Sequence, residues 1–173
     1  YSQSKIYELW TSDGTSEGTS SIAEVNICGY GAFSAGRLIF PGNDEHGYCE
    51  IWISDGTESG THILKDIVPD YGTSDPEQFT AARGYVFFTA DDSVHGRELF
   101  VTNGTEDGTF MVADFVPGAA SSGPSGLTVS GTKLFFAASS LAGDNLYTQQ
   151  DRELWALDLT KLPVAALFSA VPT

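Results

Sequence analysis

The chain has 173 residues, and 23 Asp and Glu against 8 Lys and Arg give a net charge of −15. This length allows one domain with a sizeable core, and the charge argues against nucleic acid or an anionic membrane as a partner. A hydrophobic content of 41% with 12% aromatic residues excludes a disordered acidic tail.

In chain order, the first recognisable element is the segment Glu-Leu-Trp-Thr-Ser-Asp-Gly-Thr-Ser-Glu-Gly-Thr at 8–19. It recurs almost intact at 50–61 and 98–109, and in degenerate form at 153–160, with spacings of 42, 48 and 55 residues. Periods of this size indicate an array of similar supersecondary units that bury apolar surface against their neighbours.

Each copy predicts a β-hairpin. An Asp-Gly or Asn-Gly pair marks a tight reversal, a second Gly-Thr follows four residues later, and an apolar segment ending in an acid comes next. A second hairpin fills each interval, as in 78–82, Arg83-Gly84 and 85–90. Four antiparallel strands per ~45 residues are typical of a propeller blade, and we find no sustained helical period.

Two adjacent bulky residues begin each motif strand, as in Leu99 and Phe100, and neighbours in a strand point to opposite faces of the sheet. Both faces therefore need cover, which favours stacked blades over a two-layer sandwich. The predicted units are a half blade at 1–25, blades at 26–70 and 71–118, and a divergent terminal blade at 119–173 that ends in a strand near 162–171. Three and a half blades cannot close a ring of the usual 4–8, so either more blades precede Tyr1, or further chains complete the ring, or the sheets stack in an open array.

The repeat Glu-Leu-Trp-x-x-Asp-Gly-Thr-x-x-Gly-Thr resembles that of the ELWxxDGT repeat proteins over nearly the whole chain, most closely from Tyr48 to Leu127. Lys-Asp-Ile-Val-Pro at 65–69 and His-Gly-Arg-Glu-Leu at 95–99 follow the same pattern, whereas the last copy lacks the Asp-Gly-Thr turn. The resemblance implies a large, extracellular, multi-repeat β-propeller protein and assigns no biochemical activity. The start at Tyr1, without Met or a signal segment, leads us to expect a processed or excised product.

Acids recur at fixed places in the repeat, beginning the motif strands and ending the strands that follow them. They are Glu8, Glu50, Glu98, Glu153, Glu24, Asp66 and Asp114. Catalytic carboxylates usually form one special pair, so copies in each repeat favour a structural role, either accepting backbone N–H bonds or pairing with Arg37, Arg97 or Arg152. No nucleophile elbow, phosphate loop or zincin motif occurs, and we expect no enzymatic activity.

The loops before the second and third motif strands place carboxylates beside a histidine. The candidate metal ligands are Asp44, His46, Asp91, Asp92 and His95. Carboxylate oxygens suit Ca²⁺ and imidazole suits a transition metal. However, the residue order of a calcium loop is absent, and one histidine per site supplies too few nitrogen ligands for a typical zinc site. The alternative is that these acids make Asx-turn contacts, so we expect no cofactor, with Ca²⁺ the leading candidate otherwise.

Cys28 and Cys49 flank the first two strands of one blade, and two buried thiols are the alternative to a disulfide. One intervening strand separates the strand starts by ~9.6 Å, so residues around Cys28 must lean in to bring the Cα atoms within about 7 Å. The extracellular character of the resembling family favours the bridge. Asn103, in Asn-Gly-Thr, is a candidate N-glycosylation site.

Four tyrosines in predicted loops or strand ends are candidate ligand contacts, because sugar sites use exposed aromatic faces. They are Tyr30, Tyr48, Tyr71 and Tyr147. The leading hypothesis is a non-enzymatic extracellular propeller that offers a structural or protein-interaction surface, with possible self-association and no membrane insertion. The alternative is a carbohydrate-binding propeller, with or without Ca²⁺, and a third hypothesis makes the chain part of a hydrolase or oxidase.

Overall fold

A computed structural model describes residues 8–140 and 152–162. The described part is all-β: it contains thirteen strands in four antiparallel sheets and no helix, so no helix in these residues could cross a membrane. The strands are β1 Glu8–Thr11, β2 Ser20–Glu24, β3 Ala32–Ser34, β4 Arg37–Asn43, β5 Cys49–Ser54, β6 His62–Lys65, β7 Glu77–Ala82, β8 Tyr85–Asp91, β9 Arg97–Thr102, β10 Phe110–Ala113, β11 Ser125–Ser130, β12 Lys133–Ser139 and β13 Arg152–Asp158.

The sheets follow chain order without crossovers: β1-β2, β3-β4-β5-β6, β7-β8-β9-β10 and β11-β12-β13. The predicted turn at Arg83-Gly84 is confirmed, because both residues have positive φ (52° and 83°) and join β7 to β8 as a two-residue hairpin. The predicted final strand at 162–171 lies almost wholly outside the described residues.

The prediction that the two faces of a motif strand are separately covered is confirmed for β9. Leu99 is fully buried in an apolar cluster shared by the β7–β10 and β11–β13 sheets. Phe100, its neighbour, lies in a second cluster shared by the β3–β6 and β7–β10 sheets, where Ile51 takes the position equivalent to Leu99. The middle sheet is therefore packed on both sides.

The same two faces meet at each of the two junctions that these clusters fill. We call the side of each sheet that carries the Leu or Ile of its motif strand the Leu face, and the opposite side the Trp face. The Leu face of β3–β6, through Ile51, meets the Trp face of β7–β10, where Phe88 and Phe100 stack with centroids 5.6 Å apart. The Leu face of β7–β10 likewise meets the Trp face of β11–β13, which includes Trp155.

Long cationic side chains tie neighbouring sheets together through backbone carbonyls. Lys65 Nζ donates to the Thr109 carbonyl at 2.7 Å, and Arg37 Nη1 to that of Gly104 at 3.3 Å. Arg152 Nη2 donates to the Gly123 carbonyl at 2.7 Å, and so holds the segment that enters β11 of its own sheet. The acidic chain thus uses several of its few cations to fix how the sheets join.

Candidate functional site

The repeated glutamates at the starts of β5 and β9 are buried anchors for the backbone. Glu50 is 2% exposed and accepts the Ile67 and Ser74 N–H groups at 2.9 Å each, and the Ser74 hydroxyl at 2.7 Å. Glu98 is fully buried and accepts the equivalent N–H groups of Phe115 (3.4 Å) and Ser122 (2.8 Å), together with the Ser122 hydroxyl. The predicted structural role is confirmed for these two acids.

Burial raises the pKa of both carboxyls above the ordinary glutamate value, and the hydrogen bonds from Ser74 and Ser122 oppose that shift. Such a perturbation in a cleft would point to a catalytic acid. Here it accompanies carboxylates that are fully occupied by the backbone of the next loop. Each glutamate therefore fixes the connection from one sheet to the next.

The glutamates at the equivalent position of the first and last copies of the repeat are exposed and are not buried anchors. Glu8 is exposed, and Glu153 is exposed and accepts only the Ser140 hydroxyl, at 2.9 Å, among the contacts of the described residues. The predicted alternative of arginine partners for the repeated acids is not what the structure shows. Arg97 approaches Glu77 at 3.9 Å and donates to the Asp75 carbonyl at 2.8 Å.

The acids that end the following strands behave differently from these anchors. Asp114 accepts the Gly118 N–H at 3.1 Å through Oδ2, while its buried Oδ1 has no hydrogen-bond partner in the described part of the chain. Asp66 is exposed as a residue. The partial desolvation of its carboxyl raises its pKa, and the negative charges of Asp44 and Asp70 add smaller increases. Glu24 pairs across to Glu8 in the first hairpin.

The turn after each motif strand is built the same way in every copy. The side-chain Oδ1 accepts the N–H and hydroxyl of the threonine two residues later, at 2.9–3.0 Å and 2.7 Å. The acceptors are Asp13, Asp55, Asn103 and Asp158. Even the degenerate copy keeps this contact, and the candidate glycosylation residue Asn103 holds the turn with its own side chain.

The two loops that held the candidate metal ligands form Asx-type turns. Asp44 Oδ1 accepts the N–H groups of His46 and Tyr48 at 2.8 Å each. In the next repeat, Asp92 Oδ1 accepts the His95 N–H, and Asp92 Oδ2 lies 2.7 Å from His95 Nδ1. That bond raises the pKa of His95.

Asp91 Oδ1 accepts the Ser93 N–H at 2.8 Å in the same turn. No group of three or more His, Cys, Asp or Glu side chains in residues 8–140 and 152–162 is arranged to hold a metal ion. The structure therefore brings Asp92 and His95 together as a pair, and it uses Asp44 and Asp91 in turn contacts.

Three rings at one edge of the β3–β6 sheet form a cluster. The centroids of His46, Tyr48 and Tyr71 lie 6.1–6.5 Å apart in all three pairs, with the rings inclined to one another by 52–71°. Tyr71 is 80% exposed, and the His46 side chain is 54% exposed. We call these residues the aromatic cluster. It unites two of the candidate tyrosines with a candidate metal ligand.

The aromatic cluster is held by the anchors just described. Tyr71 lies in the loop between Ile67 and Ser74, and Glu50 accepts the backbone N–H groups of both of these residues. The Thr73 hydroxyl also donates to the Cys49 carbonyl and accepts the Cys49 N–H, both at 3.1 Å. Cys49 directly follows Tyr48, so the two halves of the cluster are fixed to one short piece of β5.

The disulfide reinforces the same strand. Cys28 and Cys49 are bonded with Cα atoms 6.5 Å apart, so the predicted bridge is confirmed and free thiols are excluded for this pair. The approach is possible because Cys28 lies outside β3 and donates its N–H to the Pro41 carbonyl at 3.1 Å. This contact brings the preceding segment alongside β4.

The remaining candidate contacts are dispersed. Tyr30 is 96% exposed and has no part in the aromatic cluster. Tyr147 lies outside the described residues. An apolar cleft between the β1–β2 and β3–β6 sheets is lined by Leu9, Ile22 and Leu38 and bordered by Phe33, which is 68% exposed.

The sequence predicted each tyrosine separately but missed that Tyr48 and Tyr71 meet. The sequence did contain a signal for this contact. A serine follows the repeated glutamate by 24 residues in both repeats, as Ser74 follows Glu50 and Ser122 follows Glu98, and the bond between them folds the intervening loop back onto the strand. No protein-family model, curated protein or solved structure matches this chain.

Proposed function

We propose that the chain is a non-enzymatic, extracellular β-propeller-type module that serves as a rigid surface for protein interaction. The observation that carries this proposal is the stacking of sheets through the same Leu and Trp faces at successive junctions. The three sheets from β3 to β13 are joined by apolar packing and by the buried Glu50 and Glu98, and Lys65 and Arg37 add contacts between the first two of them. A scaffold of this kind presents its loops at defined positions.

The propeller arrangement is supported by the order of strands within each sheet and by the resemblance to the ELWxxDGT repeats. Sequential four-stranded antiparallel sheets packed face to face are the building unit of a propeller. We propose that further repeats, or further copies of the chain, complete the ring. Native mass spectrometry of the chain tests the second route: a single closed oligomer supports it, and a monomer at all concentrations contradicts it.

An extracellular location is supported by the Cys28–Cys49 disulfide, since such bonds persist in oxidising compartments. A non-enzymatic role is supported by the way the repeated acids are used. Glu50 and Glu98, the two buried carboxyls with raised pKa values, are occupied by backbone N–H groups of a loop. These two recurrent carboxylates therefore serve the fold.

A second candidate function is carbohydrate binding, with or without Ca²⁺, and the exposed ring of Tyr71 favours it. Parallel screens of the labelled chain against an array of secreted proteins and a glycan array test both candidates. Selective protein binding with a flat glycan profile supports the interaction module. Selective glycan binding supports the alternative, and its loss with EDTA would assign a role to Ca²⁺. Turnover abolished by substituting His46 or His95 would overturn the non-enzymatic proposal.

A further inference from the structure

The aromatic cluster occurs in one repeat, although the two loops that carry its rings are built in the same way in the next repeat. The loops 43–49 and 91–97 have the same length and the same strand register at both ends. The following loops are anchored alike: Thr73 accepts the Cys49 N–H, and Ser121 accepts the Arg97 N–H at 2.8 Å.

The equivalents of His46, Tyr48 and Tyr71 in the next repeat are Val94, Gly96 and Ala119. Gly96 has a positive φ of 68°, and a Cβ there would lie 2.7 Å from the Ser121 hydroxyl. The second scaffold therefore has no room for a tyrosine at that position. Because the loops are built and anchored without the aromatic rings in one repeat, the rings of the other repeat are not needed to form the scaffold.

The surroundings of the aromatic cluster are anionic. Asp44 precedes His46 in the same turn, Asp70 adjoins Tyr71, and Asp66 lies close enough to both acids to be affected by their charges. None of these three carboxylates is within 4.0 Å of a lysine or arginine nitrogen in the described part of the chain. A cation placed here would relieve mutual repulsion between the acids.

The spacing of the rings suits a cation of organic size. A point equidistant from the three centroids lies about 3.7 Å from each, so a cation near it is within the roughly 6 Å at which a ring face attracts positive charge. Tyr71 and the His46 side chain are largely exposed, so the aromatic cluster is accessible to a protruding side chain.

We infer that the aromatic cluster and its three aspartates bind an arginine side chain of a partner protein. This inference rests on the proposed interaction function and names the chemistry of the partner. A guanidinium is weakly hydrated, stacks on aromatic rings and pairs with carboxylates through a planar fork, so it uses both features of the site. A lysine ammonium holds its water more strongly, and a quaternary ammonium has no proton to donate to an aspartate.

Fluorescence anisotropy with a labelled Gly-Arg-Gly-Arg-Gly peptide tests the site directly. Citrulline keeps the shape of arginine without its charge, and we expect the citrulline peptide to bind at least about tenfold more weakly, with the lysine peptide in between. Tyr71→Ala introduces the residue that the next repeat has at this position, and it is expected to weaken binding by about 2-fold to 30-fold. Tyr30→Ala removes an even more exposed tyrosine elsewhere and should leave affinity unchanged.

Asp66→Asn is expected to weaken binding and reduce its dependence on salt, because it removes a charge without removing a ring. Equal affinity for the arginine and citrulline peptides, or equal effects of Tyr71→Ala and Tyr30→Ala, would overturn the inference. So would displacement of the peptide by a neutral oligosaccharide at the same site.

The protein array, repeated with Tyr71→Ala, separates this inference from the proposed function. A partner that binds the variant and the wild type equally overturns the arginine site and leaves the interaction module standing. Arginine-peptide binding that depends on Tyr71, with no protein bound on the array, supports the site and contradicts the broader function.

Discussion

Replacing Glu98 with alanine tests whether the repeated glutamates hold the sheets together. The substitution leaves the Ser122 N–H, and in part the Phe115 N–H, buried without an acceptor. An unsatisfied buried donor costs about 1–3 kcal/mol, while loss of a buried charge offsets part of this. We therefore expect Glu98→Ala to lower the free energy of unfolding by about 2–4 kcal/mol, or the melting temperature by roughly 10 °C for a chain of this size.

Urea unfolding followed by circular dichroism measures this effect, and Glu8→Ala is the matched control. Glu8 occupies the same position of the repeat but is exposed, so its removal should change stability by no more than about 0.5 kcal/mol. Equal losses for Glu8→Ala and Glu98→Ala would refute the reasoning, since burial and backbone contacts distinguish the two sites.

The pH dependence gives the same test a second readout. Because burial raises the pKa of Glu98 above its ordinary value of 4.5, the folded state favours the protonated carboxyl. Protonation of Glu98 therefore stabilises the folded state. This contribution to the free energy of unfolding is complete below the pKa of Glu98 in the unfolded chain, and it is lost as pH rises through the pKa of Glu98 in the folded chain. Glu98→Gln removes this titration, so its stability should fall less than that of the wild type as pH rises above 4.5. Parallel pH profiles would contradict the assignment.

Three further outcomes follow from the structure. Reduction of the Cys28–Cys49 bond, which spans 21 residues, should destabilise the chain by about 3 kcal/mol, measured by unfolding with and without a phosphine reductant; equal stabilities would contradict this. Gly60→Ala should cost about 1–3 kcal/mol, because its Cβ would overlap the Asp55 carboxylate, and Asp55→Ala should suppress that cost in a double-mutant cycle. Titration of His95 by NMR should give a pKa above 6.5 that falls in Asp92→Asn, and an unchanged value would exclude their hydrogen bond as the cause.

Much of the fold could be predicted from the sequence because the same turn and strand motifs occur in several repeats. Asp-Gly-Thr marks a turn whose side-chain contact recurs from Asp13 to Asp158, and adjacent apolar residues such as Leu99 and Phe100 require cover on two faces. The regular placement of the glutamates also favoured a structural role over catalysis, which the backbone contacts of Glu98 bear out.

The site was harder to predict because it depends on contacts between distant segments. Tyr48 and Tyr71 are 23 residues apart, and their rings meet only because Glu50 and Thr73 fold the intervening loop back onto β5. Tyr71 and Tyr30 are both followed by glycine in predicted loops, yet Tyr30 is exposed and is not part of the aromatic cluster. Comparison of equivalent positions between repeats supplies the missing distinction.

The pairing of Leu and Trp faces gives the stack a direction. The two junctions on either side of β7–β10 each join a Leu face to a Trp face. A further sheet with the same two faces could therefore be inserted between two neighbours and pack against both. Duplication or deletion of a segment of about 48 residues would therefore leave all internal junctions of the same type. Leu154 is 77% exposed where its equivalents Leu99 and Ile51 are fully buried, so the Leu face of β11–β13 is uncovered at this position in the described part of the chain.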